Sequence, residues 1–217
     1  MSGYNGANDA ALKFYLQKKT LQATERNTER VQNLRVEFWP SLKNINPEDL
    51  IFLDESGVNL AMVQLYARAL CGQRAYGNRP QKRGKNVTLI GAISLEGIVA
   101  WASIWGFLDA VTFEAFIIRK LMPHLWPGAT VVLDNCTSHK NPEIINAIHK
   151  VGTKVVYLPP YSPDFSPIEN FWAKVKSLLK SLGARTYQAL EEAIREAFRQ
   201  VTVQDIQNWY THCCYST

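Results

Sequence analysis

The chain has 217 residues, 47% of them hydrophobic and 20% charged, enough apolar matter for one domain with a full core and too much for an intrinsically disordered chain. Its formal net charge of +5 permits a polyanionic partner without proving one. No apolar run approaches the ~18 residues of a membrane span, Met1-Ser-Gly-Tyr-Asn-Gly lacks the basic start and apolar stretch of a secretory signal, and Cys71, Cys136, Cys213 and Cys214 form no CxxC pair, so no structural zinc is expected and a reduced, cytosolic setting fits best.

Residues 1–19 read as a polar tail or linker, with Ala10–Leu16 able to form one short helix. Val31, Leu34, Val36, Phe38 and Trp39 then recur at roughly helical spacing, predicting a helix from Asn27 to Leu42 that packs on a sheet and ends near Pro40. Asn46-Pro-Glu-Asp49 turns the chain into Leu50-Ile-Phe-Leu, a short apolar run that stops at Asp54. From Ser56 to Lys85 there is no clear period. This stretch carries Arg68, Arg74, Arg79, Lys82, Arg83 and Lys85, interleaved with Tyr66 and Tyr76, and no acid occurs between Glu55 and Glu96. It is either a solvated loop or a phosphate-contacting one; the second reading is favoured because the stretch leaves directly from Asp54.

Val87–Ser94 and Ile98–Trp105 read as a hairpin turned by Leu95-Glu-Gly97. Asp109 or Thr112 suits the cap of a helix to about Leu121, which Pro123 ends. Val131-Val-Leu is a second apolar run stopping at an aspartate, Asp134. Asn141 suits the cap of a helix from Pro142 to Lys150, Gly152 its end, and Val155–Leu158 a last strand. Three helices follow, from Ile168 to Leu182, Tyr187 to Gln200, and Val203 to about Cys213. The order predicts a mixed α/β domain.

Between the last strand and these helices lies Leu158-Pro-Pro-Tyr-Ser-Pro-Asp-Phe-Ser-Pro-Ile-Glu-Asn-Phe-Trp172. Four prolines in this loop stiffen it, because each fixes its own φ and restricts its predecessor. Ser166 suits an N-cap, Pro167 the first helical position and Glu169 the first turn. Ser166-x-x-Glu169 is by itself a capping box. The two aspartate-terminated runs suggest more. Buried parallel strands place their sites beyond their carboxyl ends, and neighbouring strands would start Asp54 and Asp134 roughly 5 Å apart. Carboxylates that close repel unless a proton or cation lies between them.

Phe52-Leu-Asp54-Glu55-Ser56-Gly57, Val132-Leu-Asp134-Asn135 with His139 beyond, and the proline-rich block ending Glu169-Asn-Phe-Trp172 together resemble the three catalytic blocks of DDE transposases of the mariner superfamily, bacterial insertion-sequence type. The 34 residues between Asp134 and Glu169 match that superfamily's spacing. The resemblance, from about Thr20 to the C-terminus, implies an RNase H-like fold: a mixed five-stranded sheet flanked by helices. It implies Asp54, Asp134 and Glu169 as catalytic, metal-binding acids, Mg²⁺ or Mn²⁺ as a pair of ions, and cleavage and strand transfer of DNA. Its partners would be element ends and a target, usually TA, with a homo-oligomer as the active complex. A bacterial cytoplasmic, nucleoid-associated location follows.

Residues 1–47 are then a tail and packing helix, and 48–217 the catalytic domain. The family's helix-turn-helix modules have too little room before Asp54, so the chain reads as a catalytic fragment, the second frame of a split gene or a decayed copy, with a separate N-terminal recognition polypeptide as one candidate partner. Arg74, Arg79, Lys82, Arg83, Lys85, His139, Asn170 and Lys174 are candidate DNA contacts, each with a bland alternative. His139 could be a structural loop histidine, and Lys174, with Lys176 and Lys180, part of a solvated face. Asn135 and Asn170 could orient the acids they follow. Asp164 reads as a turn former, and Phe171 and Trp172 as core. Glu55 should point away from Asp54 if its strand continues. Two rivals remain: an inactive DNA-binding remnant and another RNase H-like nuclease. A Rossmann enzyme is disfavoured because no strand is followed by G-x-G-x-x-G.

Overall fold

The computed structural model describes residues 23–136 and 139–215; the helix suggested at Ala10–Leu16 lies outside them. Five strands form one sheet: β1 (Leu50–Val58), β2 (Val87–Ser94), β3 (Gly97–Trp105), β4 (Thr130–Leu133) and β5 (Lys154–Tyr157), in the order β3-β2-β1-β4-β5. β1 is antiparallel to β2 and parallel to β4, and β4 is parallel to β5. Among the described residues the six α-helices are α1 (Glu29–Leu42), α2 (Ala110–Phe116), α3 (Pro142–Lys150), α4 (Pro167–Leu182), α5 (Tyr187–Arg199) and α6 (Val203–His212).

Strand alternation sorts the helices into two layers. Leu50 and Phe52 of β1 join the core under α1, α4, α5 and α6, with Phe38, Phe171, Trp172, Phe198 and Tyr210. Ile51 and Leu53 join the opposite core with Phe113, Ile117, Leu121, Ile144 and Ile148, beneath α2 and α3. Tyr210, fully buried, donates its hydroxyl to the carbonyls of Leu50 and Ile93, riveting α6 across β1 and β2.

Local signals set most element ends. Asp109 accepts from the Thr112 N–H and Asn141 from the Glu143 N–H, each capping its helix as expected. Gly183 ends α4 in the left-handed conformation. Two helices end where expected but with local departures, and one strand runs further than expected. α1 runs through Pro40 to Leu42; the proline sits in the last turn, and buried Phe38 and Leu42 hold that turn on the core. α2 passes into a π-helical turn at Ile117–Leu121 before Pro123. And β1 does not stop at Asp54 but runs on to Val58, paired with β2.

Candidate active site

β1 delivers the first acid. Asp54 shares the parity of Leu50 and Phe52 and so emerges on the α4 face; Glu55 emerges on the other. Leu50, Ile51 and Phe52 pair in register with Thr130, Val131 and Val132 of β4. The same offset, carried two residues further, sets Asp54 beside Asp134, the first residue after β4. The third acid comes from the proline-rich loop: Ser166 is the N-cap of α4, Pro167 its first residue, and Glu169 lies in its first turn. The capping box does not form, since the Ser166 side chain makes no cap hydrogen bond. Asp54, Asp134 and Glu169 line one cleft of about 480 Å³, together with Asn135 and the loop from Leu158 to Pro163.

The charges in this cleft are unevenly held. Burial pushes the Asp54 carboxyl up to about 7 against an opposing backbone hydrogen bond, and the carboxylates of Glu55, Glu169 and Asp134 add to the rise. Asp54 Oδ2 accepts from the indole Nε1–H of Trp172 at 3.1 Å. Trp172 lies one helical turn after Glu169, so α4 supplies one acid and braces another. The ring fits because the residue paired with Asp54 on β2 is Gly91; a Cβ there would lie 3.1 Å from the ring's Cη2.

Asp134 is braced from the other side. Its Oδ1 lies 2.6 Å from His139 Nδ1 and accepts from the Cys136 N–H at 3.1 Å. The hydrogen bond from His139 holds its carboxyl below the usual range despite partial burial. His139 is 1% exposed and stacks on Phe113, with ring centroids 4.6 Å apart. Its Nε2 lies 3.3 Å from Glu55 Oε2, close enough for charge attraction but not aligned as a hydrogen bond. Burial alone would lower this imidazole; its contacts with Asp134 and Glu55 outweigh that and raise it to about 10. Its two ring nitrogens face two carboxylates, which favours the protonated ring.

Three carboxylates on one cleft are hard oxygen donors of the kind Mg²⁺ and Mn²⁺ take. As the side chains stand, no group of three or more His, Cys, Asp and Glu among the described residues is arranged to hold an ion: Asp54 is turned onto Trp172 and Asp134 onto His139. The donor set and its charge fit a divalent cation. Burial first, and the neighbouring carboxylates after it, disfavour a further negative charge on Asp54.

The other candidates scatter. His139 lies behind the cleft rather than in its mouth. Asn170 donates toward Cys213 Sγ at 4.0 Å, and Lys174 pairs with Asp205 at 2.5 Å, inside the Thr202–Asp205 capping box of α6. Arg74, Arg79, Lys82, Arg83 and Lys85 are exposed on the irregular loop between β1 and β2. That loop is closed at its neck by the Leu60 N–H on the Arg83 carbonyl. Arg185 donates to the carbonyls of Leu60 and Met62, and the Tyr187 hydroxyl accepts from the Lys85 N–H. Trp172, read from sequence as core, is core, 2% exposed, but also a partner of the first acid. The signal available for that second part was its spacing, three residues from Glu169, together with a glycine in the facing strand.

A mixed sheet of this order, with one acid within β1, one just past the end of the adjacent parallel β4 and a third on a later helix, defines the RNase H-like DDE class. Residues 49–192 match the family described as DDE superfamily endonuclease, and the chain belongs to that family. The fold is similar to that of mariner Mos1 transposase. Against the Mos1 transposase paired-end complex with left transposon end, the TM-score is 0.74 at 16% identity, covering 92% of this chain and 63% of that one. The mariner Mos1 paired-end complex with Mg gives 0.75 at 17%, with coverages of 93% and 64%. The Mos1 transposase catalytic domain with Raltegravir and Mn gives 0.68 at 14%, with coverages of 89% and 92%. The chain thus spans about 63% of the length of the paired-end protein but nearly all of the catalytic domain. No curated protein sequence matches it.

Proposed function

We propose that this chain is the catalytic core of a mariner-superfamily transposase of bacterial insertion-sequence type, cutting DNA at element ends and joining the 3′ ends to a target by in-line phosphoryl transfer. The observation that carries it is the convergence of Asp54, Asp134 and Glu169 on one cleft from two adjacent parallel strands and the helix that follows. The matched family is an endonuclease family, and the similar Mos1 complexes contain transposon ends, Mg or Mn.

In this reading Asp54, Asp134 and Glu169 would hold Mg²⁺ or Mn²⁺, two ions. Bound there, such ions supply an activated water or 3′-hydroxyl and stabilise the departing 3′-oxygen. Trp172 and His139 keep the Asp54 and Asp134 carboxylates oriented. Arg74, Arg79, Lys82, Arg83 and Lys85 provide phosphate contacts on the exposed loop. Residues 48–217 are the catalytic unit. The active form is a homo-oligomer on paired ends with a TA target, in the bacterial cytoplasm at the nucleoid.

Nicking of supercoiled plasmid tests this. Mn²⁺-dependent nicking is expected from the native chain and lost with EDTA and in Asp54→Asn; equal nicking by the mutant would refute the site. Joining of oligonucleotide 3′ ends, against hydrolysis alone, separates a transposase from a plain nuclease.

A further inference from the structure

The loop that carries Glu169 into the cleft is poor in its own hydrogen bonds, because Pro159, Pro160, Pro163 and Pro167 lack the N–H. Between Leu158 and α4 its backbone bonds are Leu158 to Leu133, Phe165 to Ser162 and Ser166 to Pro163. One residue, Tyr161, sits at φ 55° without being glycine, a conformation that must be imposed by its surroundings. Stiffness fixes the loop's shape but not its attachment to the body of the protein.

The attachment comes from α1. Arg35 Nη1 donates to Ser162 Oγ at 2.6 Å and to Asp164 Oδ1 at 3.1 Å, while Nη2 donates to Asp164 Oδ2 at 2.6 Å. The guanidinium also stacks 4.1 Å from the Phe165 ring centroid. This is a bidentate fork on a carboxylate, the geometry that distinguishes Arg from Lys. The Arg35 side chain is only 11% exposed. Arg26, in the turn leading into α1, reaches the same Asp164 oxygen at 3.0 Å. Phe165 is packed by Phe38 and Trp39 of the same helix, and its carbonyl accepts from the Tyr215 hydroxyl at 2.6 Å. Every anchor falls on Ser162–Phe165, the turn from which α4 springs.

We infer that Arg35 and Asp164 are positioning residues for Glu169: the fork between α1 and the loop sets where the first turn of α4 begins and so where the third acid stands in the cleft. This rests on the reading of the cleft as a three-acid metal site. The pair is open to solvent on the Asp164 side, 45% exposed, so its contribution to stability is small. Its value here is placement, since displacing a metal-ligating group's supports costs roughly 10–100-fold in metal affinity.

The test is a double-mutant cycle read by Mn²⁺ affinity of the DNA-free protein, followed by electron paramagnetic resonance. Arg35→Gln and Asp164→Asn are each expected to weaken Mn²⁺ binding about 10-fold, and Arg35→Lys, which keeps charge and packing without the fork, should recover only part of it. In a Glu169→Gln background the Arg35 substitutions should have no further effect, because the residue they position is already lost. If Arg35→Gln folds poorly, Arg35→Lys carries the cycle. An Arg35 effect of equal size in both backgrounds, or none in either, would overturn the fork's role while leaving the site intact. Unchanged Mn²⁺ affinity in Glu169→Gln alone would overturn the three-acid reading itself, and this inference with it.

Discussion

The acid cleft and the basic loop between β1 and β2 are built on opposite plans. In the cleft each aspartate has a named protein partner, Trp172 for Asp54 and His139 for Asp134, and both partners are almost wholly buried. In the loop, Arg74, Arg79, Lys82 and Arg83 are exposed beside Tyr66 and Tyr76, which are 80% and 90% exposed, and the order lies at the neck, in the contacts of Leu60, Arg83, Arg185 and Tyr187. The contrast follows from what each region is proposed to do. Phosphoryl transfer needs atoms placed to fractions of an ångström. Attraction to a polyphosphate backbone needs positive charge and tolerates variable geometry.

The comparison breaks most visibly at the acids. Asp54→Asn, Asp134→Asn and Glu169→Gln should each abolish Mn²⁺-dependent nicking, a larger loss than the ~10–100-fold expected for any supporting residue, with circular dichroism unchanged. Trp172→Phe sharpens it: the N–H on Asp54 goes together with part of a buried ring, so Mn²⁺ affinity should fall by about 10-fold or more and stability by about 1–3 kcal/mol for the lost hydrogen bond and the smaller ring. A loop with Arg74, Arg79, Lys82 and Arg83 all changed to Ala should bind duplex DNA more weakly, with its salt dependence flattened by roughly 0.9 in slope for each phosphate contact removed. Its thermal stability should stay within about 0.5 kcal/mol of native; a large loss would show that the loop is part of the fold after all.

Two smaller effects test the bracing. Gly91→Ala puts a methyl against Trp172, and should cost about 1–3 kcal/mol by overpacking and weaken Mn²⁺ binding with it, both measured on one purified sample. Asp54 also carries a pH signature. Its carboxyl is raised to about 7 in the folded protein from about 4 unfolded, so between those values the native state holds a proton that the unfolded chain lacks. Metal-free stability should therefore decline as pH rises through that window, and Asp54→Asn should remove this part of the slope in melting curves taken from pH 4 to 8.

Much of this plan was legible in the chain. Apolar runs halting at Asp54 and Asp134 marked two strands, whose adjacency only the family resemblance implied, and the prolines before Glu169 marked the start of α4. The helix limits around Asn141 and Gly152 follow from capping chemistry alone. What escaped depended on partners distant in sequence. β1 extends through Asp54-Glu-Ser-Gly57, residues with little strand preference, because β2 pairs with them. His139 looked like a loop residue and is buried because Glu55 and Asp134 reach it from separate strands. Lys174 looked like part of a basic face and is paired with Asp205 of another helix. Asp164 forms its turn, and its fork with Arg35 joins segments more than a hundred residues apart.

The two-sided burial of β1 has one more consequence. Leu50, Ile51, Phe52 and Leu53 are all apolar and all buried, two on each face, so greasiness by itself would accept the strand shifted one place along β4. Such a shift would send Glu55 toward Trp172 and Asp54 toward Phe113 and leave Gly91 facing the wrong neighbour. Asp54 on Trp172 and Glu55 beside His139 thus tell apart the two faces of an otherwise uniform strand.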